Sequence, residues 1–260
     1  MTAVAIDAFV HQLATESGRA ILPFFRTAIG VEDKSGGTAF DPVTEADRAA
    51  EQVMRSLINA HFPSHGIIGE EFANERTDAP YVWALDPIDG TKSFIAGLPA
   101  WGTLIGLLKH GKPVYGMMHQ PFIQERFFGD CASAHYQGPA GARVLTARDC
   151  GRLEDAVLFT TSPRLMNGAD RAAFERVEEK VRLSRYGGDC YAYCMVAAGL
   201  VDLVIETGLQ DHDVIALVPI IEGAGGIVTS WEGGSPAAGG RVVAAGSAAV
   251  HAQALAILNS

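Results

Sequence analysis

Basic charge is scarce in this 260-residue chain: 20 Lys and Arg stand against 30 Asp and Glu, a net charge of −10. That balance excludes a surface built for nucleic acid or for an anionic membrane. It also means that an anionic substrate would need a local cation. Cysteine is scarce too. Cys131, Cys150, Cys190 and Cys194 form no CxxC pair of the zinc type. Cys190 and Cys194, four positions apart, are expected on one helix face, reduced and buried, and a cytoplasmic location follows. No apolar run reaches the roughly 18 residues that a membrane span requires. The first residues lack the basic segment of a secretory leader. No fixed-period repeat is visible. What remains is 48% hydrophobic residues and 29 glycines, a composition suited to a compact α/β protein and not to a disordered one.

One stretch organises the rest. Tyr81 to Leu85 is an apolar run of the kind that forms a buried strand, and it is expected to break at Asp86-Pro87. Asp86 and Asp89 supply hard oxygen ligands of the sort Mg²⁺ prefers. A helix starting at Gly90 or Thr91 would leave backbone N–H groups for phosphate oxygens. The plain alternative is a turn, because Asp-Pro and Asp-Gly are ordinary turn formers.

The flanking pattern gives context. Residues 4 to 26 have helical spacing of Ile6, Phe9, Val10, Leu13, Ile21 and Phe24. Residues 29 to 43 read as a polar, glycine-rich loop. Thr44 and Asp47 open a second helix that Pro63 stops, and their spacing is that of a capping box. Gly66 to Glu71 reads as a short strand ending in two acids, a place where α/β folds build sites. Trp101–Leu108 and Val114–Met118 predict a hairpin around His110 to Pro113. Glu125–Gly129 and short strands near His135 and Val144 extend it as an antiparallel meander. His110, His119 and His135 show no ligand spacing. Residues 137 to 155 mark a boundary between halves of one catalytic unit, about 1–140 and 141–260. The second half alternates: strands at 157–160, 203–205, 227–230 and 242–245, and helices at 170–181, 191–199, 214–223 and 248–258. Pro219 is expected to kink the third of these helices or leave a carbonyl unpaired.

Asp-Pro-Ile-Asp-Gly-Thr, residues 86 to 91, resembles the first signature of the inositol monophosphatase family of Mg²⁺-dependent phosphatases. Asp213, the following apolar helix and Ala224-Gly225-Gly226 resemble its second signature, with His212 where the broader family has Trp. Thr91 to Phe94 and Gly187 to Tyr193 look most like the histidinol-phosphate phosphatase branch. The resemblance implies an α/β (α+β) fold, a layered α-β-α-β-α sandwich.

The same resemblance makes Glu70, Asp86, Asp89, Asp213 and the Ile88 carbonyl metal ligands for two or three Mg²⁺ ions. Glu71 is left as a supporting residue. It also makes Asp47 the partner of Thr91 in orienting an attacking water, so Asp47, Thr91 and Glu70 are the catalytic set. For Asp47 and Asp213 a helix cap remains an equally physical reading. Four carboxylates in one place are unfavourable without cations between them. Divalent ions there lower the pKa of a water and stabilise a leaving oxygen, chemistry that suits phosphate-ester hydrolysis.

Gly90, Thr91 and Asp213 are expected at the phosphate. Arg185, Asp189 and Glu206 are candidates for the organic part of the substrate. A surface charge is the alternative for Arg185, and a helix cap for Asp189. Lys92 is either a site residue or a solvated charge. Acids here suit an amine or imidazolium, which points to histidinol phosphate and histidine biosynthesis. An inositol phosphate and a phosphorylated nucleotide are the alternatives, and a non-catalytic metal-binding protein is a third. The partners expected are a small phosphorylated metabolite and a second copy in a homodimer, with no nucleic acid and no membrane.

Overall fold

The computed structural model describes residues 3–28, 30–33 and 42–260. Helix α1 (Ala3–Ile21) turns Phe9, Val10, Leu13 and Ala14 inward. It ends before Pro23, short of the expected residue 26, because the residue ahead of a proline resists helical torsions. The expected loop contributes two short paired strands, β1 (Val31–Asp33) and β2 (Pro42–Thr44). Residues 29 and 34–41 of it lie outside the described residues. Helix α2 (Glu45–His61) begins with the expected capping box: the Thr44 side chain accepts from the Ala46 N–H, and Asp47 accepts from the Thr44 N–H at 2.8 Å.

Seven strands form the first sheet: β3 (Gly66–Gly69), β4 (Tyr81–Asp89), β5 (Gly102–Lys109), β6 (Lys112–Gln120), β7 (Glu125–Gly129), β8 (Ala134–Gly138) and β9 (Gly141–Val144), adjacent in that order. β3 and β4 run parallel, and every later pair is antiparallel. β4 does not stop at Leu85, as its apolar run predicts, but continues to Asp89 with an irregularity between Asp86 and Asp89. Pro87 has no N–H to give a ladder, and the Ile88 N–H goes to Asp86 Oδ1 at 3.0 Å. The five-residue helix α3 (Thr91–Ile95) follows at once.

The second half builds a five-stranded sheet. In chain order its elements are β10 (Val157–Thr160), α4 (Gly168–Glu178), β11 (Leu183–Tyr186), α5 (Cys190–Ala197), β12 (Leu203–Leu209), α6 (Asp211–Ile215), α7 (Leu217–Gly223), β13 (Ile227–Ser230), β14 (Gly240–Ala245) and α8 (Ala248–Leu258). The strand order is β11-β10-β12-β14-β13. Strand β11 has no counterpart among the expected elements. It is a four-residue, largely exposed edge, too short to show a period. The single helix expected over 214–223 is two helices hinged at Ala216, since Pro219 offers no N–H to the Ile215 carbonyl.

Five layers result. α1 and α2 cover one face of the seven-stranded sheet. α5, α6 and α7 lie between the sheets, where Leu104, Met118 and Phe127 of the first share one core with Val204, Val242 and Ala244 of the second. α4 and α8 cover the outer face of the second sheet. The α-β-α-β-α sandwich is therefore the architecture. Strand β5 shows why the pattern works. Ile105 and Leu107 face α1 and α2, while Leu104 and Leu108 face the middle layer. With both faces covered, the strand reads as an unbroken apolar run. Among the described residues no helix is long and apolar enough to cross a membrane.

The middle layer sits unusually close to the first sheet. Gly106, Gly116 and Gly129 stand in register across β5, β6 and β7. A Cβ on Gly116 would lie 1.8 Å from the Ala216 carbonyl oxygen, and one on Gly129 would lie 2.6 Å from that of Pro219. Three missing side chains thus form a trough in which the α6–α7 hinge rests. That contact sets the height of α6 over the end of β4.

Candidate active site

The end of β4, the start of α3, the loop after β3, the ends of β10 and β12, and the N-terminal ends of α5 and α6 surround a cleft of about 530 Å³. Glu70, Asp86, Ile88, Asp89, Gly90, Thr91, Asp189, Glu206 and Asp213 all line it. Arg185 does not. It stands on the edge strand β11, exposed and outside the cleft.

The acidic centre comes from three places in the chain. Carboxylate oxygens of Asp86, Asp89 and Asp213 lie within 4.8 Å of one another. Each is oriented by a backbone N–H. Asp86 accepts from Ile88, Asp89 Oδ2 accepts from Cys190 at 2.5 Å, and Asp213 Oδ2 accepts from Gln210 at 2.7 Å. Asp213 is therefore a helix cap and a site residue at once, since its cap uses only one of two oxygens. Burial, followed by the charges of Glu70, Asp89 and Asp213 and a hydrogen bond that the protonated carboxyl donates to Glu70, holds Asp86 well above the usual range. Burial and then Asp189 and Asp213 do the same for Asp89. Burial is the main cause of a rise at Asp213, with Glu70 adding to it and His212 opposing it. Crowded acids that resist ionisation are what a hard divalent cation would relieve. The donor set, all oxygen and partly buried, fits Mg²⁺ by its chemistry.

Gly90 makes the turn that follows. Its φ of +88° is open to glycine at little cost, and a Cβ there would come within 2.9 Å of the Ala100 carbonyl and 3.1 Å of Asp189 Oδ2. Thr91 Oγ1 donates to the Ile88 carbonyl at 3.0 Å. The bond expected between Thr91 and Asp47 is not made. Asp47 Oδ2 is taken by the Thr44 N–H and hydroxyl, while Asp47 Oδ1 is buried without a hydrogen-bond partner. Burial first, with Glu70 adding, pushes the Asp47 carboxyl up to about 6. An orphaned buried oxygen is costly, and this one belongs to an acid that feels Glu70.

The opposite wall is also acidic. Asp189 precedes α5 but makes no cap hydrogen bond. Its Oδ2 instead accepts from Ser93 Oγ at 3.2 Å across 96 residues of chain. Its φ of +44° is uncommon for a residue with a side chain. Burial raises its carboxyl, with Ser93, Lys92 and Thr161 opposing. Glu206 does not end its strand. β12 runs on to Leu209 past an irregularity in its pairing with β14. Glu206 accepts from the Thr161 N–H at 2.7 Å and from the Tyr193 hydroxyl at 3.1 Å, and burial pushes it up to about 7.

Sequence reasoning missed Thr161, Ser162, Leu165, Met166 and Tyr193 on this wall. They sit on turns and a buried helix with no local signal. Lys92 is the one lysine or arginine lining the cleft among the described residues. His212 lies 3.6 Å from Asp213 and 3.3 Å from Asp211, and although burial opposes its charge, the acids around it raise its pKa overall. Cys190 and Cys194 are buried and all four cysteines are free. His110, His119 and His135 take no part in the cleft.

A profile of the inositol monophosphatase family matches residues 4–260. The bifunctional phosphatase IMPL2, chloroplastic, of Arabidopsis thaliana is 45% identical over 94% of this chain and 72% of its own length. The histidinol-phosphatase of Mycobacterium tuberculosis is 35% identical over 84% of this chain and 85% of its own. An inositol monophosphatase from Zymomonas mobilis superposes with a TM-score of 0.88 at 39% identity, each chain being covered in full.

Proposed function

The chain belongs to the inositol monophosphatase family and is a phosphoric monoester hydrolase, and from that premise we propose that its substrate is L-histidinol phosphate, cleaved to L-histidinol and phosphate with Mg²⁺. The observation that carries the substrate is the wall facing the acidic centre. Asp189 spends strained backbone on a side chain that caps nothing and faces the cleft. Beside it stand Glu206 and the apolar Leu165 and Met166. Two acids next to apolar surface match an ammonium and an imidazole better than a ring of hydroxyls. The similarity to a histidinol-phosphatase supports the same reading.

Glu70, Asp86, Asp89, Asp213 and the Ile88 carbonyl would hold the metal. Bound there, Mg²⁺ would supply charge neutralisation at the phosphoryl group, a more acidic water and stabilisation of the leaving oxygen. The chain's own groups do the rest. The first-turn N–H groups of α3, which the helix itself leaves without partners, receive phosphoryl oxygens. The Thr91 hydroxyl donates its hydrogen bond to the Ile88 carbonyl, so its oxygen is left to accept one from the attacking water. The proton that water loses passes to solvent through the cleft; Asp47, with Oδ1 buried and unpartnered, does not line the cleft and acts there only through its charge beside Glu70. Asp189 and Glu206 orient the amine end of the substrate, which holds the phosphate at the metal side.

The test is phosphate release from L-histidinol phosphate, inositol 1-phosphate and a nucleotide 3′-phosphate, each with Mg²⁺ and with EDTA. The largest kcat/KM is expected for histidinol phosphate, and EDTA should abolish it. A preference for inositol 1-phosphate would overturn the substrate while keeping the chemistry. Mg²⁺ binding with no turnover on any ester would make the protein a binder. A place in histidine biosynthesis, a cytoplasmic location and a homodimer follow as part of the same proposal, and light scattering in solution tests the last.

A further inference from the structure

Glu70 reaches the acidic centre from a turn, residues 69 to 75, whose interior, 70 to 74, belongs to no helix or strand. Two buried side chains of α2 grip that turn from beneath. The Glu51 side chain is 0% exposed and that of Arg55 is 6% exposed, and they pair at 2.7 Å. Glu51 Oε2 accepts from the Glu71 N–H at 2.8 Å, and Oε1 accepts from the Phe72 N–H at 3.3 Å. Arg55 donates to the Phe72 carbonyl at 3.0 Å, the Ala73 carbonyl at 3.1 Å and Glu75 Oε1 at 2.9 Å. The main chain closes the turn below them, with Ile67 and Glu75 exchanging two hydrogen bonds of 2.8 Å. Gly69 makes the approach possible: a Cβ there would lie 2.1 Å from Glu51 Oε1 and 2.7 Å from Arg55.

Burying this ion pair is expensive unless every donor and acceptor is used. A hydrophobic pair would hold α2 against the sheet at lower cost. The pair's hydrogen bonds go to the residues directly after Glu70, and to no substrate-facing atom. We infer that Glu51 and Arg55 are positioning residues of the metal site, fixing the 69–75 turn so that the Glu70 carboxylate stays against Asp86. The inference rests on the metal-site reading above. Glu51 and Arg55 act through backbone, and neither lines the cleft.

The experiment is calorimetric titration of metal-free protein with Mg²⁺, beside the metal-free melting temperature, for wild type, E51Q, R55K and M54A. Gln at 51 offers one acceptor oxygen where two are used, so either the Glu71 N–H or the Arg55–Phe72 side loses its partner. Lys at 55 keeps the charge and loses the fork to two carbonyls. Met54 is buried in the same helix but faces the apolar core and touches no part of the turn's polar network, so M54A lowers stability alone. The expected result is Mg²⁺ affinity weakened roughly 10- to 100-fold in E51Q and R55K, the usual effect of losing a residue that supports a ligand, and unchanged in M54A. R55K should recover its kcat at saturating Mg²⁺. Should E51Q and R55K melt lower yet bind Mg²⁺ as wild type does, the pair is merely structural and the inference is overturned. Wild type that fails to bind Mg²⁺ would overturn the metal-site reading itself, a different failure.

Discussion

On one wall of the cleft, each acid is tied to main chain: Asp86 to the Ile88 N–H, Asp89 to the Cys190 N–H and Asp213 to the Gln210 N–H. On the other wall hydroxyl groups share the task. Ser93 holds Asp189, and the hydroxyls of Thr161 and Tyr193 join the Thr161 N–H in holding Glu206. Main-chain ties place the first group as accurately as the sheet itself is placed. Hydroxyl ties can be exchanged without disturbing a strand or a helix. The first arrangement suits chemistry common to a family of phosphatases, and the second suits a choice among phosphate esters.

The largest effect expected from breaking this contrast is at Asp86. D86N removes a ligand charge from the main-chain wall, and phosphate release should fall about a thousandfold, several kcal/mol of charge stabilisation at tenfold per 1.4 kcal/mol. The metal-free melting temperature should hold or rise, because a mutual repulsion is relieved. A lower melting temperature would show that Asp86 supports the fold instead.

Next comes the trough. G116A sets a methyl group 1.8 Å from the Ala216 carbonyl, and overpacking of that kind costs about 1–3 kcal/mol or more. α6 must lift, carrying Asp213 away from Asp86. Urea unfolding and Mg²⁺ titration should both worsen, whereas a purely local strain would move only the first.

A smaller and more selective effect is expected on the hydroxyl wall. D189N should raise KM for histidinol phosphate about tenfold, the worth of one hydrogen bond to a charged group. It should leave the KM for inositol 1-phosphate nearly unchanged. Equal losses on both esters would place Asp189 at the phosphate.

The smallest effect is on pH dependence. Asp47 at about 6 and Glu206 at about 7 lie above the ordinary carboxyl range in the folded chain. Between pH 4 and 7, roughly, the folded chain therefore keeps protons that the unfolded chain has released. Stability in EDTA must fall as pH rises through that window, with Asp86 and Asp89 extending the fall upward. Melting temperatures from pH 5 to 8 should show this slope. Saturating Mg²⁺ should flatten the part due to Asp86, Asp89 and Asp213, and leave the part due to Glu206.

The main-chain wall was legible in the sequence because its signals are local. Asp86, Asp89 and Gly90 lie within five residues at a strand end, Glu70 ends a second strand, and Asp213 opens a helix. The hydroxyl wall was only half legible. Asp189 and Glu206 could be named as acids near glycines and strands, but Thr161 and Tyr193 meet Glu206 from 45 and 13 positions away. Arg185 was misplaced because nothing local tells an edge strand from a cleft. Glu51 and Arg55 were not singled out in the sequence, because an acid and a base at i, i+4 are an ordinary helical pair, and only the turn folded over them shows another use.

By itself the sequence determined the alternation of elements, the capping box at Asp47 and the identity of the acids, because periodicity, turn chemistry and ligand hardness all act over a few residues. Tertiary structure decided that Gly106, Gly116 and Gly129 align into a trough, that Asp189 faces the cleft while Arg185 does not, and that the direct Thr91–Asp47 bond is not made. Those outcomes depend on which strands are neighbours and how closely layers approach, and that is settled only when distant segments compete for the same space.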